Sequence, residues 1–421
     1  MVVLFLIFLG VIAFKRPSIA LAIVLQINNI KALLNTSFGS QNYTTLENDI
    51  SYGVMAPLIT FVFIFLRLNL KKKLFYKPDY IDLFFILITV GLAINYFFVE
   101  DSYNHSIESI KILFLGFPYF FLTKLYFTNV KVKWPNFIKS FFLTTVYLST
   151  IMGVMALYFY YSTDFIELQG YQMVQLTYPG VYVIPFAQMI GLSIIGIIII
   201  LFHKKVFEIN KIWHLIVILI FLFIVLLLTK NRGIQLSTAI SVFFFFFSTL
   251  SLKIPTKFII VSTFFVTTSL LFFILNPEIS EDIFQRIINS RVDKSVIDRI
   301  EAYKISVSIL LENPFGIGPS NFKNFFYLDY VHNVLLEMLI FFGLLGIPIV
   351  LILTALLYKM VVISLRMKEN TIIILTVIFL YFFIEAQFSF TLWMQKGLFF
   401  SLALLSSYKY LKKIYYNHES S

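Results

Sequence analysis

The chain has 421 residues, 59% hydrophobic and only 13% charged, and its mean hydropathy of +0.89 excludes a soluble domain that must present a charged surface to water. It contains no cysteine, which excludes disulfides, thiolate catalysis and cysteine metal ligation. The formal charge of +11 would suit nucleic acid, but the lysines cluster between apolar runs, the pattern that fixes membrane orientation, so no nucleic-acid partner is expected.

Apolar runs of about 20 residues recur along the chain, each long enough to cross the hydrocarbon as a helix that satisfies its own backbone amides. Runs such as IIGIIIILF (194–202) and VFFFFFSTL (242–250) do not alternate as barrel strands do. The predicted fold class is therefore all-α: one integral membrane domain over residues 1–421, a polytopic transmembrane helical bundle. In chain order the predicted spans are 2–14, 17–34, 52–70, 80–98, 108–126, 137–160, 182–202, 211–229, 233–252, 256–275, 332–358, 370–388 and 392–411. That makes thirteen, or twelve if the short first run is a half-span. The first run is followed by Lys15, Arg16 and Pro17 rather than a small-residue cleavage site, so no cleavable signal is expected.

Basic clusters set the orientation. They fall at Lys15 and Arg16, Lys71 to Lys73, Lys131 and Lys133, Lys204 and Lys205, Lys253 and Lys257, Arg366 and Lys368, and Lys412 and Lys413, in every second connection. Those connections read as cytoplasmic, and 35–51, 99–107, 161–181 and 276–331 as external. External tyrosines, among them Tyr43, Tyr171 and Tyr330, read as an interfacial belt.

The arginines break this rule. Of seven, four (Arg232, Arg286, Arg291 and Arg299) fall on the predicted outer side. Guanidinium presents a planar fork of donors that matches phosphate oxygens and stays charged, so a diphosphate is the expected ligand. In LTKNRGIQLS (228–237), Lys230 and Arg232 sit between two spans, where charge close to hydrocarbon marks a polar cavity or substrate path, or snorkels to the headgroups.

Residues 276–331 form the one long external loop, with six basic and eight acidic residues. From Arg299 to Leu311 the apolar residues Ile300, Tyr303, Val307, Leu310 and Leu311 recur at helical spacing, with Glu301, Lys304 and Ser308 elsewhere. NPFGIGPSNF (313–322) then stops the helix. The predicted loop is a lid: one amphipathic helix and a tight turn over the membrane surface.

His332 opens the span after the lid. An imidazole with an ordinary pKa near 6.5 can take a proton at neutral pH, which suits a general base acting on a sugar hydroxyl. His105, His203, His214 and His418 read as interfacial or structural, and no pair has zinc-ligand spacing, so no metal is expected. Gly343 and Gly346 read as packing glycines. Glu385, in FFIEAQFSF, reads either as a buried carboxylate facing the site or as a boundary residue.

Three segments in order resemble the O-antigen ligase and polysaccharide polymerase superfamily. HNVLLEMLIFFGLLG resembles its His-Asn, apolar helix, Gly-x-x-Gly signature, KNRGIQLS its Ser-Arg-Gly segment, and RIEAYKISVSILLENPFGIGPSNF its loop pattern. The resemblance covers residues 210–358 in detail. It implies transfer of a glycan from undecaprenyl diphosphate to an acceptor hydroxyl at the outer face of the plasma membrane, with no metal or other cofactor. Undecaprenyl-diphosphate-linked oligosaccharides and membrane lipid are the implied partners, together with a chain-length regulator and a flippase. It implies catalytic roles for Arg232, Arg299 and His332; beside these, Lys230, Arg286, Arg291, Asn333, Tyr303 and Glu385 are the expected substrate contacts.

This chain has Asn231 where the family has serine, and no arginine in 161–181, where many ligases carry one. The expectation is therefore a polymerase joining oligosaccharide repeats, with a ligase as the alternative. A transporter of the same lipid-linked sugars would show two related halves with matching broken helices, and no such symmetry is evident.

Overall fold

A computed structural model of the protein describes residues 2–31, 55–70, 76, 78–98, 102–129, 133–161, 176, 183–208, 212–250, 294–319, 321–328, 330–388 and 391–419. Among these there is no strand. The predicted span 256–275 and the predicted ligands Arg286 and Arg291 lie outside the described residues.

The helices are α1 (Val2–Lys15), α2 (Pro17–Leu25), α3 (Met55–Leu70), α4 (Tyr80–Phe98), α5 (Ser102–Lys111), α6 (Phe117–Asn129), α7 (Trp134–Tyr161), α8 (Val183–Phe202), α9 (Trp213–Leu228), α10 (Arg232–Thr249), α11 (Lys294–Glu312), α12 (Val334–Phe342), α13 (Gly346–Met367), α14 (Asn370–Glu385) and α15 (Lys396–Glu419). Among the described residues five helical runs are long and apolar enough to cross a membrane: Tyr80–Phe98, Asn104–Asn129, Trp134–Tyr161, Val183–Phe202 and Val334–Met367. Shorter apolar helices, Leu4–Lys15, Met55–Leu70, Trp213–Leu228 and Asn370–Glu385, stand beside them. The chain is thus an all-α polytopic membrane bundle.

Local sequence explains the junctions. Pro17 starts α2, where its missing N–H costs nothing. Pro118 can neither donate to the turn before it nor accommodate the carbonyl there, and α5 runs into α6 through a π turn, Ile112–Gly116. The external connection expected at 99–107 is therefore shorter than predicted, because helix begins at Ser102.

Helix α8 forms the centre: every residue from Phe186 to Ile197 is buried, and α7, α9, α10 and α14 surround it. The remaining helices pack outward, α15 against α6 and α14, α13 against α4 and α14, and α3 against α1 and α6.

Polar contacts among the described residues tie the helix ends together in two groups. In the first, Arg67 donates to the Phe14 and Lys15 carbonyls (2.6 and 3.0 Å), closing the last turn of α1. In that group too, buried Lys124 pairs with Asp82 and, at 3.3 Å, with Asp79, which accepts from Ser406. The second comprises the α9–α10 turn, the lid, the start of α12 and the end of α14. The lysine clusters at 71–73 and at 253 and 257, and the connections 35–51 and 161–181, lie largely outside the described residues.

The predicted span 332–358 is not one straight helix. Residues 334–367 in a continuous helix would run about 51 Å, against about 30 Å of hydrocarbon. The chain breaks instead: α12 ends at Phe342, Gly343 takes φ 56°, and α13 starts at Gly346. A side-chain carbon on Gly346 would meet the Met338 carbonyl oxygen at 2.4 Å, so α12 folds back on the start of α13. The lid turn plugs this break. Ile317 and Gly318 donate backbone N–H groups to the Ile340 and Phe341 carbonyls (2.9 and 3.1 Å), and Leu344 donates to Pro314 (2.9 Å), pairing groups that the break would orphan.

The lid helix also differs from its predicted pattern. Tyr303 and Leu310 are half-buried with Ala302, Ser306 and Ile309 on the protein side, whereas Ile300, Val307 and Leu311 point away, exposed. The apolar positions belong to two surfaces, not one.

Candidate active site

Three structures carry the candidate site residues and are tied together by backbone and packing contacts. The first is the α9–α10 turn. Lys230 takes φ 54°, a left-handed position that reverses the chain within three residues. Asn231 caps α10, accepting the Ile234 N–H at 3.1 Å, and Gln235 reaches back to the Leu226 and Leu227 carbonyls (3.2 and 3.4 Å). Asparagine and serine both cap well, so the Asn231 departure leaves the local structure intact. Arg232 follows as the first helical residue and is exposed, where its charge and the helix N-terminus both favour an anion.

The second is the start of α12. Asn333 is its N-cap, accepting the Leu336 N–H at 3.0 Å. This fixes Asn333 in a structural role and aims its neighbour. His332 is half-buried with φ 59°, an uncommon conformation for a non-glycine residue that costs about 1–2 kcal/mol. Its ring centroid lies 4.4 Å from that of Tyr330, and its Nδ1 is buried with no hydrogen-bond partner.

The third is the lid helix α11, packed on α12. Arg299 and Tyr303 lie one turn apart on its half-buried side. The lid is pinned laterally: Tyr327 hydrogen-bonds Asp298, and that bond with the nearby carboxylates pushes the phenol up to about 12.

Arg299 lies near enough to His332 for its charge to act on the ring. Burial lowers the His332 pKa to about 4, and the Arg299 guanidinium adds to the shift, so the ring is neutral at neutral pH beside a fixed positive charge. Arg232 is linked to them through the turn after α14. The Ala386 carbonyl accepts the Val334 N–H at 3.0 Å, and two residues on, Phe388 packs so closely on Gly233 that a side-chain carbon there would lie 2.7 Å from its Cβ. Residues 386–388 thus strap the Arg232 helix to the His332 helix.

Glu385, the residue before this strap, is fully buried; its carboxylate accepts from the Gln188 side chain at 2.8 Å within the helix layer, and Tyr381, one turn away, donates to the Gln188 carbonyl. Lys230 is half-buried in the hairpin turn.

Glu337 escaped the sequence reading. It is fully buried one turn into α12, bonded by the Thr391 hydroxyl and the Leu392 N–H, while its Oε2 has no partner. A lone carboxylate inside VLLEMLIFF was the available signal, since an acid at membrane depth is costly unless held. Among the described residues no group of His, Asp or Glu side chains is arranged to hold a metal ion.

Residues 215–351, about a third of the chain, match a protein-family model described as O-Antigen ligase, and the matched segment contains Arg232, Arg299 and His332. No curated protein matches the chain, and no solved structure matches it.

Proposed function

We propose that the protein is a membrane glycosyltransferase, a polymerase that moves a glycan from undecaprenyl diphosphate to a sugar hydroxyl of a second lipid-linked repeat at the outer face of the plasma membrane. The observation that carries this reading is the pairing of Arg299 with a neutral, strained His332 inside the segment that matches the ligase family model. The lysine clusters in alternate connections of the sequence support an extracytoplasmic site.

The chemistry needs three things: a group to receive the acceptor proton, charge to hold a leaving diphosphate, and a place for both near the bilayer. Attack of the acceptor oxygen on the anomeric carbon forms one C–O bond and breaks the bond to the diphosphate, whose oxygen leaves with the electron pair. His332 takes the hydroxyl proton or orients it, and its partner-free Nδ1 is the group that can do so. Arg232 and Arg299 neutralise the leaving diphosphate.

The two roles are coupled. A ring held near 4, mainly by burial, is a weak base, and an anion on Arg299 offsets the smaller, charge-driven part of the shift and raises its basicity when donor is bound. Lys230 and Tyr303 flank the arginines and supply further contacts to the donor.

The test is in cells. His332→Ala and Arg232→Ala should leave the protein in the membrane, abolish long polymer and let single repeats accumulate; normal polymer length in both variants overturns the proposal. The family model's description favours ligation to another acceptor as the second reading. The absence of arginine in 161–181 favours polymerisation.

A further inference from the structure

The lid helix α11 presents apolar side chains in two directions. Its inner side, with Ala302, Ser306 and Ile309 fully buried, packs on α12. At about 100° per residue, Ile300, Val307 and Leu311 share a separate flank within about 40° of one another, and Glu301, Ser308 and Glu312 share another within about 40°, the two sets centred roughly 100° apart. Ile300 is 49% exposed, Val307 53% and Leu311 79%. A helix between protein and water has one reason to be apolar. A helix with a second apolar flank and a polar flank beside it has three neighbours: protein, water and something apolar.

The position of the helix says what that third neighbour is. Helix α13 has 22 residues, about 33 Å, which matches the hydrocarbon thickness and puts its outer edge near Gly346. The turn that ends α11 is tied to this level: Pro314 accepts the Leu344 N–H at 2.9 Å, and Phe315 stacks on Phe98, the last residue of α4, with centroids 4.6 Å apart and planes 8° apart. Phe98 at the end of α4, Leu344 in the break before α13, and Ile347 and Leu351 on α13 are further exposed apolar residues on the segments this turn is tied to. Lys304 lies between the two flanks, and its stem lets the amine reach a phosphate headgroup.

We infer that α11 lies in the outer membrane–water interface, with Ile300, Val307 and Leu311 buried among the acyl chains of the bilayer. The lid is then a lipid-anchored element rather than a cover standing free in water, and lipid holds Arg299 at headgroup height. An apolar flank of this kind sinks about 5–10 Å below the headgroups. The inference rests on the spans and not on the reaction proposed above, so either can fail alone.

The chain has no cysteine, so single-cysteine variants report cleanly. Val307→Cys, Leu311→Cys, Glu301→Cys and Glu312→Cys, each in the full chain and carrying an environment-sensitive fluorophore, are reconstituted in phosphatidylethanolamine–phosphatidylglycerol vesicles with and without brominated acyl chains. Emission at 307 and 311 should be blue-shifted and quenched about twofold or more by the brominated lipid, with 301 and 312 unaffected. All four positions are exposed, and a second measurement guards against a misplaced label: a membrane-impermeant maleimide should modify 301 and 312 about tenfold faster than 307 and 311. Equal quenching and equal modification at all four positions would overturn the inference.

Discussion

Pro314 and Gly343 meet backbone to backbone: a side-chain carbon on Gly343 would lie 2.1 Å from the Pro314 carbonyl oxygen and 2.5 Å from the Gly316 nitrogen. The neighbours are main chain and cannot swing away, and Gly343 also holds φ 56°. Gly343→Ala should therefore cost about 3 kcal/mol and detach the lid turn from the α12–α13 break. Thermal unfolding in detergent checks this; an unchanged melting temperature would show that the break does not depend on the plug.

The His332 shift has a stability consequence. Unfolded, the ring has the ordinary value of 6.5; folded, burial holds it at about 4. Between these values the unfolded chain binds more protons, so this contribution is fully present above about 6.5 and is lost as pH falls toward about 4. His332→Gln removes it. The variant should lose less stability than the wild type between pH 6.5 and pH 4 in a melting series, and parallel curves would contradict the assignment.

Arg299 acts on His332 and, in the proposed reaction, on the donor. Arg299→Gln should raise the His332 pKa, moving the acid limb of the pH–rate profile upward, and weaken donor binding about tenfold or more. Arg299→Lys keeps the charge but not the fork: the acid limb should stay in place while KM rises. Identical profiles for the two variants would separate Arg299 from His332.

Glu337 staples the segment after α14 to α12 through Thr391 and Leu392. Glu337→Gln retains an acceptor and should be tolerated, whereas Glu337→Ala leaves the half-buried Thr391 hydroxyl and the Leu392 N–H unpaired and should cost about 2 kcal/mol. Because α12 carries His332 at its start, the alanine variant should also lose turnover. Equal stability of the two variants would argue against the staple.

The fold class was legible because it follows from composition: long apolar runs demand helices. Arg232 and Arg299 drew attention in the sequence because they depart from the alternation that the lysines follow. The break at Gly343 was not. Both halves of 332–358 are apolar, so hydropathy reads one span, and only the packing of Pro314 against Gly343 shows the chain turning. The two flanks of α11 were hidden likewise, because periodicity groups Tyr303 with Ile300 and Val307 and cannot tell protein from lipid as the apolar neighbour. The caps at Asn231 and Asn333 follow a known local preference, which the sequence motifs around them obscured.

Purified full-length protein in vesicles, given lipid-linked repeats and no other acceptor, tests whether the Arg299–His332 pair serves polymerisation. The wild type should build a ladder of lengthening chains and release the lipid diphosphate, and His332→Ala should leave the repeats single. Translocation of the lipid-linked repeats without any chain growth, or growth that persists undiminished in His332→Ala, would contradict it.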